Sequence, residues 1–121
     1  MSKGFNWKNY KKPKQKFNAV RSEMDGIKFD SKMELEFYKV QKLDPEVLHI
    51  DTHVSLNLPC GIKYRVDFLI WYKDNRIRPV EIKGVIESDF RIKWKQFNVS
   101  HPLAPLEVIQ WKGKQWIQLE P

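Results

Sequence analysis

Apolar and polar positions alternate with two different periods along the chain. In SKMELEFYKVQKL (31–43) Met33, Phe37 and Val40 recur at helical spacing, which predicts a helix with one buried face. Ser31 is a natural N-cap, and Asp44-Pro45 stops the run. Ahead of it, DGIKFDS (25–31) reads as a turn and a short extended piece, and residues 1–22 show no apolar period. HVSLNL (53–58) alternates Val54, Leu56 and Leu58 with Ser55 and Asn57, a strand with one face buried. After the Pro59-Cys60-Gly61 turn, YRVDFLIWY (64–72) and IRPVEIK (77–83) form a hairpin closed by KDNR (73–76). Pro79 places the start of the second strand at an edge or bulge, and Gly84 ends it.

SDFRIKWKQFNVS (88–100) is a second helix, with Phe90, Trp94 and Phe97 inward. PLEVIQW (105–111) and QWIQL (115–119) are strands joined by a tight KGK turn. The order is helix, three strands, helix, two strands, which predicts an α/β fold of the α+β type, a mixed sheet with helices packed on it.

A length of 121 residues and a hydrophobic content of 41% suit one domain with a modest core. No apolar run approaches the roughly 20 residues of a membrane span. The first residues carry no apolar leader, and the single cysteine excludes an internal disulfide and a thiolate metal cluster. A cytoplasmic protein is expected. The net charge of +7 is carried by residues 1–22, which hold Lys3, Lys8, Lys11, Lys12, Lys14, Lys16 and Arg21 and no acid. The remaining residues, 23–121, are neutral in sum. A basic arm on a neutral domain points to a polyanion, most simply nucleic acid. Phe5, Trp7, Tyr10 and Phe17 among the lysines suit stacking on unpaired bases.

The chemistry lies in the hairpin. Along 77–83, Val80 and Ile82 point one way while Glu81 and Lys83 point the other. If the register sets Asp67 opposite Glu81, two carboxylates face each other across adjacent strands, which is destabilising. A hard divalent cation, Mg²⁺ or Mn²⁺, removes that penalty. Lys83 would then stand beside it, able to orient a water and to stabilise charge on a phosphate. On the second helix Arg91, Lys95 and Asn98 cluster away from the apolar face, and Lys93 leans toward the acids as a phosphate contact. Trp94 is read as core. HIDTH offers His49, Asp51 and His53 on one strand face, but without a fourth ligand the zinc reading is set aside. Cys60 is read as a turn residue.

Asp67, thirteen intervening residues and then Glu81-Ile82-Lys83 resemble the PD-(D/E)xK nuclease superfamily, with Val66 where that name has proline. FDSKMELEFY and FRIKWKQF are similar to segments of its small phage-encoded endonucleases, among them Holliday-junction-resolvase-like proteins. The resemblance spans roughly residues 18–100 and implies a restriction-endonuclease-like core. It further implies that Asp67, Glu81 and the Ile82 backbone carbonyl hold the metal, that Lys83 acts at the attacking water, and that Glu34 reaches the metal. Glu34 also fits a capping box with Ser31; Glu36 is read as solvated. The expected function is Mg²⁺-dependent cleavage of phage DNA during recombination, replication or packaging, on branched DNA and as a homodimer. The contrasting expectations are a non-catalytic nucleic-acid-binding module working through the arm, and an assembly protein on a degenerate nuclease fold.

Overall fold

The computed structural model describes residues 22–121. A short hairpin comes first, β1 (Ser22–Met24) and β2 (Ile27–Phe29), turned by Asp25 and Gly26. Both turn residues have positive φ, 56° and 76°, as a two-residue hairpin turn requires. The turn and short extended piece expected over 25–31 are therefore present, and the extended piece pairs with Ser22–Met24 as a second, two-stranded sheet. Helix α1 (Lys32–Lys42) follows, its Ser31 hydroxyl accepting the Glu34 N–H at 3.2 Å as the N-cap.

The main sheet has the order β3-β4-β5-β6-β7. Its strands are β3 (Val47–Asn57), β4 (Lys63–Tyr72), β5 (Ile77–Lys83), β6 (Glu107–Lys112) and β7 (Gln115–Leu119). A single 3₁₀ turn, Pro59–Gly61, joins β3 to β4. Helix α2 (Ser88–Ser100) carries the chain from β5 to β6, the one parallel pair; every other pairing in the sheet is antiparallel. The fold is mixed α+β; after the β1–β2 hairpin comes the expected order of helix, three strands, helix and two strands.

Two apolar clusters hold these layers together. Leu35, Phe37 and Tyr38 of α1 pack with Phe29, Phe68, Ile70, Val80, Ile82 and Ile109. Phe90, Trp94 and Phe97 of α2 pack with Leu58, Val66, Leu106 and Val108. Val108 and Ile109 are neighbours on β6 yet join different clusters, because successive side chains leave a strand on opposite faces. Trp94 is core as expected, 1% exposed, and its indole N–H donates to the Leu106 carbonyl at 2.8 Å.

Glu36 departs from expectation. It is 2% exposed, with Lys39 Nζ 3.6 Å from its carboxylate. It stands three residues after Met33 and four before Val40, inside the apolar stripe, and α1 is covered over most of its circumference, with Leu35, Phe37, Tyr38, Val40 and Gln41 also buried. Among the described residues no helix is long and apolar enough to cross a membrane.

Candidate metal centre

The strands β4 and β5 part company halfway along. Their ladder runs from Trp71↔Ile77 to Phe68↔Val80 and stops. Beyond it β4 pairs only with β3, as in Val54↔Val66, while β5 from Val80 onward pairs with β6. Pro79 sits in the half of β5 whose only partner is β4, so its missing N–H leaves no gap in a ladder on the other side. Asp67 and Glu81 are the first residues past the last rung. They thus meet across a fork rather than as the ladder neighbours the sequence suggested.

Asp67 fills that fork. Its carboxylate accepts the Ile82 N–H at 2.9 Å, taking the place of a rung that the strands no longer make. Glu81, 7% exposed, lies beside it. The Lys83 ammonium stands 3.4 Å from Glu81 Oε2 and 4.5 Å from the centre of the Phe90 ring, which fixes the head of a flexible side chain. Oε1 of Glu81 is buried and has no hydrogen-bond partner. A buried, unpaired carboxylate oxygen carries a desolvation cost that a cation offsets.

Glu34 enters from the first turn of α1. Its Oε2 accepts from the Ser31 hydroxyl at 3.3 Å, and its Oε1 lies 3.4 Å from His53 Nε2. Capping and site membership therefore coexist in one residue: the backbone N–H of Glu34 is used by the cap, while its carboxylate looks into the site.

The three carboxyls hold one another up in pKa. Burial, and then the negative charge of Asp30, push Glu34 up to about 7. Burial and the charge of Glu34 raise Asp67, against the pull of the Ile82 N–H and of Lys83. Burial and Asp67 raise Glu81, against Lys83 and the nearby Tyr64 hydroxyl. The Lys83 ammonium at Asp67 and Glu81 and the Arg65 charge at Glu34 do not bring these acids back to their ordinary range. The group is short of positive charge.

His53 is the residue that the sequence reading named, with His49 and Asp51, and set aside. Strand alternation placed it on the face of His49 and Asp51, yet its φ is +56°, a left-handed conformation inside a strand, and its ring turns to Glu34. His49 and Asp51 stay together at 2.8 Å, and Asp51 also accepts from the Trp71 indole at 2.8 Å. Asp30, Glu34 and His53 present ligand atoms all within 4.8 Å of one another. A left-handed φ at a non-glycine strand residue leaves no signal in the hydrophobic pattern.

The cations of α2 divide. Lys93 lines a pocket of about 220 Å³ together with Lys83, Tyr64 and Phe90, and with the acids Glu87 and Asp89. Arg91 borders a different groove with Gln110 and Lys112, and Lys95 is exposed. Asn98 serves the fold, its Oδ1 accepting the Leu106 N–H at 2.8 Å. Lys93, expected to lean toward the acids, lines the pocket that holds Lys83, whereas Arg91 and Lys95 of the expected Arg91–Lys95–Asn98 cluster do not. Lys8, Lys11, Lys12, Lys14 and Lys16 lie outside the described residues.

Residues 56–115 match a family model described as "Protein of unknown function (DUF1064)". That span contains Asp67, Glu81, Lys83 and Lys93, and leaves Glu34 and His53 outside it. No curated protein and no solved structure matches the chain.

Proposed function

We propose that this protein is a divalent-cation-dependent endodeoxyribonuclease of the PD-(D/E)xK type. The observation that carries the reading is the pair Asp67 and Glu81 at the β4–β5 fork, with Glu81 Oε1 buried and unpartnered beside the Lys83 ammonium and the charge of Glu34 felt by Asp67.

The donor set fits the group that such chemistry needs. Carboxylate oxygens suit Mg²⁺ or Mn²⁺, and the cluster lacks the positive charge that either ion brings. Asp67, Glu81 and Glu34 would hold the ion, with the Ile82 carbonyl as a backbone donor. When bound, it supplies a Lewis acid that neutralises charge on the scissile phosphate and makes water more acidic.

The remaining roles fall to the chain's own side chains. Lys83, held between Glu81 and the Phe90 ring, donates to the attacking water or to a phosphate oxygen as negative charge builds. Tyr64, beside Glu81, favours the ionised form of that carboxyl through its hydroxyl, against the larger effects of burial and Asp67. Lys93, on the same pocket as Lys83, meets a neighbouring phosphate. In-line attack forms a P–O bond to the water oxygen and breaks P–O3′; the water gives up a proton, and the leaving 3′-oxygen takes one. The products are 5′-phosphate and 3′-hydroxyl ends. The basic arm, through Lys8, Lys11, Lys12, Lys14 and Lys16, adds sequence-independent affinity for DNA. A branched substrate, a homodimer and a place in phage recombination, replication or packaging complete the reading.

The test is a cleavage assay with Mg²⁺ and with Mn²⁺ on a four-way junction, duplex DNA, single-stranded DNA and RNA. Cutting of a DNA substrate that chelator and Lys83→Ala both abolish supports the proposal. Tight binding by the wild-type protein without cleavage on any substrate replaces it with a non-catalytic binding module.

A further inference from the structure

We propose that Asp30, Glu34 and His53 form a second cation position, adjoining the Asp67–Glu81 position and sharing Glu34 with it, that prefers Mn²⁺ to Mg²⁺. The three side chains come from three places: the turn before α1, the first turn of α1, and the middle of β3. Their donor atoms lie within 4.8 Å of one another, a span that one ion can bridge. His53 Nε2 is 3.4 Å from Glu34 Oε1, and both side chains are largely buried, 17% and 10% exposed. Asp30 is the exposed member and gives an ion its way in.

Glu34 is the residue that ties this position to the neighbouring one. Glu81 Oε1 is buried without a partner, and the Glu81 charge is felt by Glu34. The Arg65 guanidinium stands 3.9 Å from Asp30 at the outer edge, and its charge also reaches Glu34 and His53.

The choice of metal follows from the donors. Mg²⁺ binds oxygen and keeps its waters, so an imidazole adds little to it. Mn²⁺ accepts imidazole together with carboxylates. The two positions share Glu34 but keep separate remaining donors, so the inference stands whether or not the protein cuts DNA.

The experiment uses the full chain, stripped of metal and titrated with Mn²⁺ alone. Free Mn²⁺ is counted by its EPR signal, and pulsed EPR reads ¹⁴N coupling from a bound imidazole. The chain has three histidines, so the assignment needs few variants. Wild type is expected to show ¹⁴N coupling, retained in His49→Asn and His101→Asn and lost in His53→Asn. Asparagine tolerates the left-handed φ at position 53. His53→Asn should weaken Mn²⁺ binding there by at least about tenfold, and Mg²⁺ binding by less than about twofold. Asp30→Asn, an exposed change that leaves β3 untouched, should also weaken Mn²⁺ binding. Asp67→Asn should keep the ¹⁴N coupling. Absence of coupling in wild type, its survival in His53→Asn, or its loss in Asp67→Asn overturns the inference.

Discussion

The Asp67 carboxylate accepts the Ile82 N–H at 2.9 Å, and it does so one residue beyond the last rung between β4 and β5. A side chain thereby replaces a backbone acceptor at the fork, and a second acid, Glu81, is left beside it in a desolvated place. Asp67→Asn should separate these two roles, since asparagine keeps an oxygen for the Ile82 N–H and removes the charge. In chelator at pH 8 the variant should be more stable than wild type by about 1–2 kcal/mol. It should also lose any rise in melting temperature with Mg²⁺, as thermal unfolding with and without the ion would show.

The metal-free protein should lose stability as pH rises from 5 to 8. Glu34 has its pKa raised from the ordinary 4.5 to about 7, and Asp67 and Glu81 are raised as well. A carboxyl whose folded pKa lies above its unfolded one holds its proton more tightly in the native state. Its contribution is complete below the ordinary value and is lost as pH climbs through 7, on the order of a few kcal/mol in all. A divalent cation reverses the trend, so its stabilisation should be larger at pH 8 than at pH 5. Calorimetry across that range, with and without Mg²⁺, checks the sign.

Lys83→Ala should lower single-turnover cleavage by about 10²–10⁴-fold and leave DNA affinity nearly unchanged. Lys83→Arg should not restore the rate, because the guanidinium is larger and places its donors differently. Parallel filter binding and cleavage measurements separate the two effects.

Lys93→Ala should weaken DNA binding and flatten the salt dependence by about one phosphate contact, a change in slope of roughly 0.9. Arg91→Ala and Lys95→Ala should alter it less, since neither lines the pocket that holds Lys83. Deleting residues 1–16 removes six lysines. If these neutralise phosphates, the slope falls by about 5 and the affinity change between 50 and 200 mM salt shrinks about a thousandfold. Binding titrations over that salt range give both numbers.

The helices and most strands were legible in the pattern because each buries one face against the sheet, so its period survives in the sequence. Met33, Phe37 and Val40 marked α1, and Phe90, Trp94 and Phe97 marked α2. The Asp67 and Glu81-Ile82-Lys83 group was legible for the same reason: alternation sets Glu81 and Lys83 opposite the apolar Val80 and Ile82. Glu36 was misread because a carboxylate in a helix normally faces water, although it lies within the stripe from Met33 to Val40. The β1–β2 hairpin was missed for its brevity, three residues a side.

The sequence by itself determined which residues carry charge and which face of each element must be buried, since periodicity and solvation are properties of neighbours along the chain. Tertiary structure alone decided that β4 and β5 separate after Phe68↔Val80, that Asp67 turns into the opening, and that His53 leaves the face of His49 and Asp51 to meet Glu34. The physical reason is the same in each case. A fork between strands and a left-handed φ within one arise from the competing demands of partners distant in sequence, here β3 and β6 pulling on β4 and β5 from opposite sides.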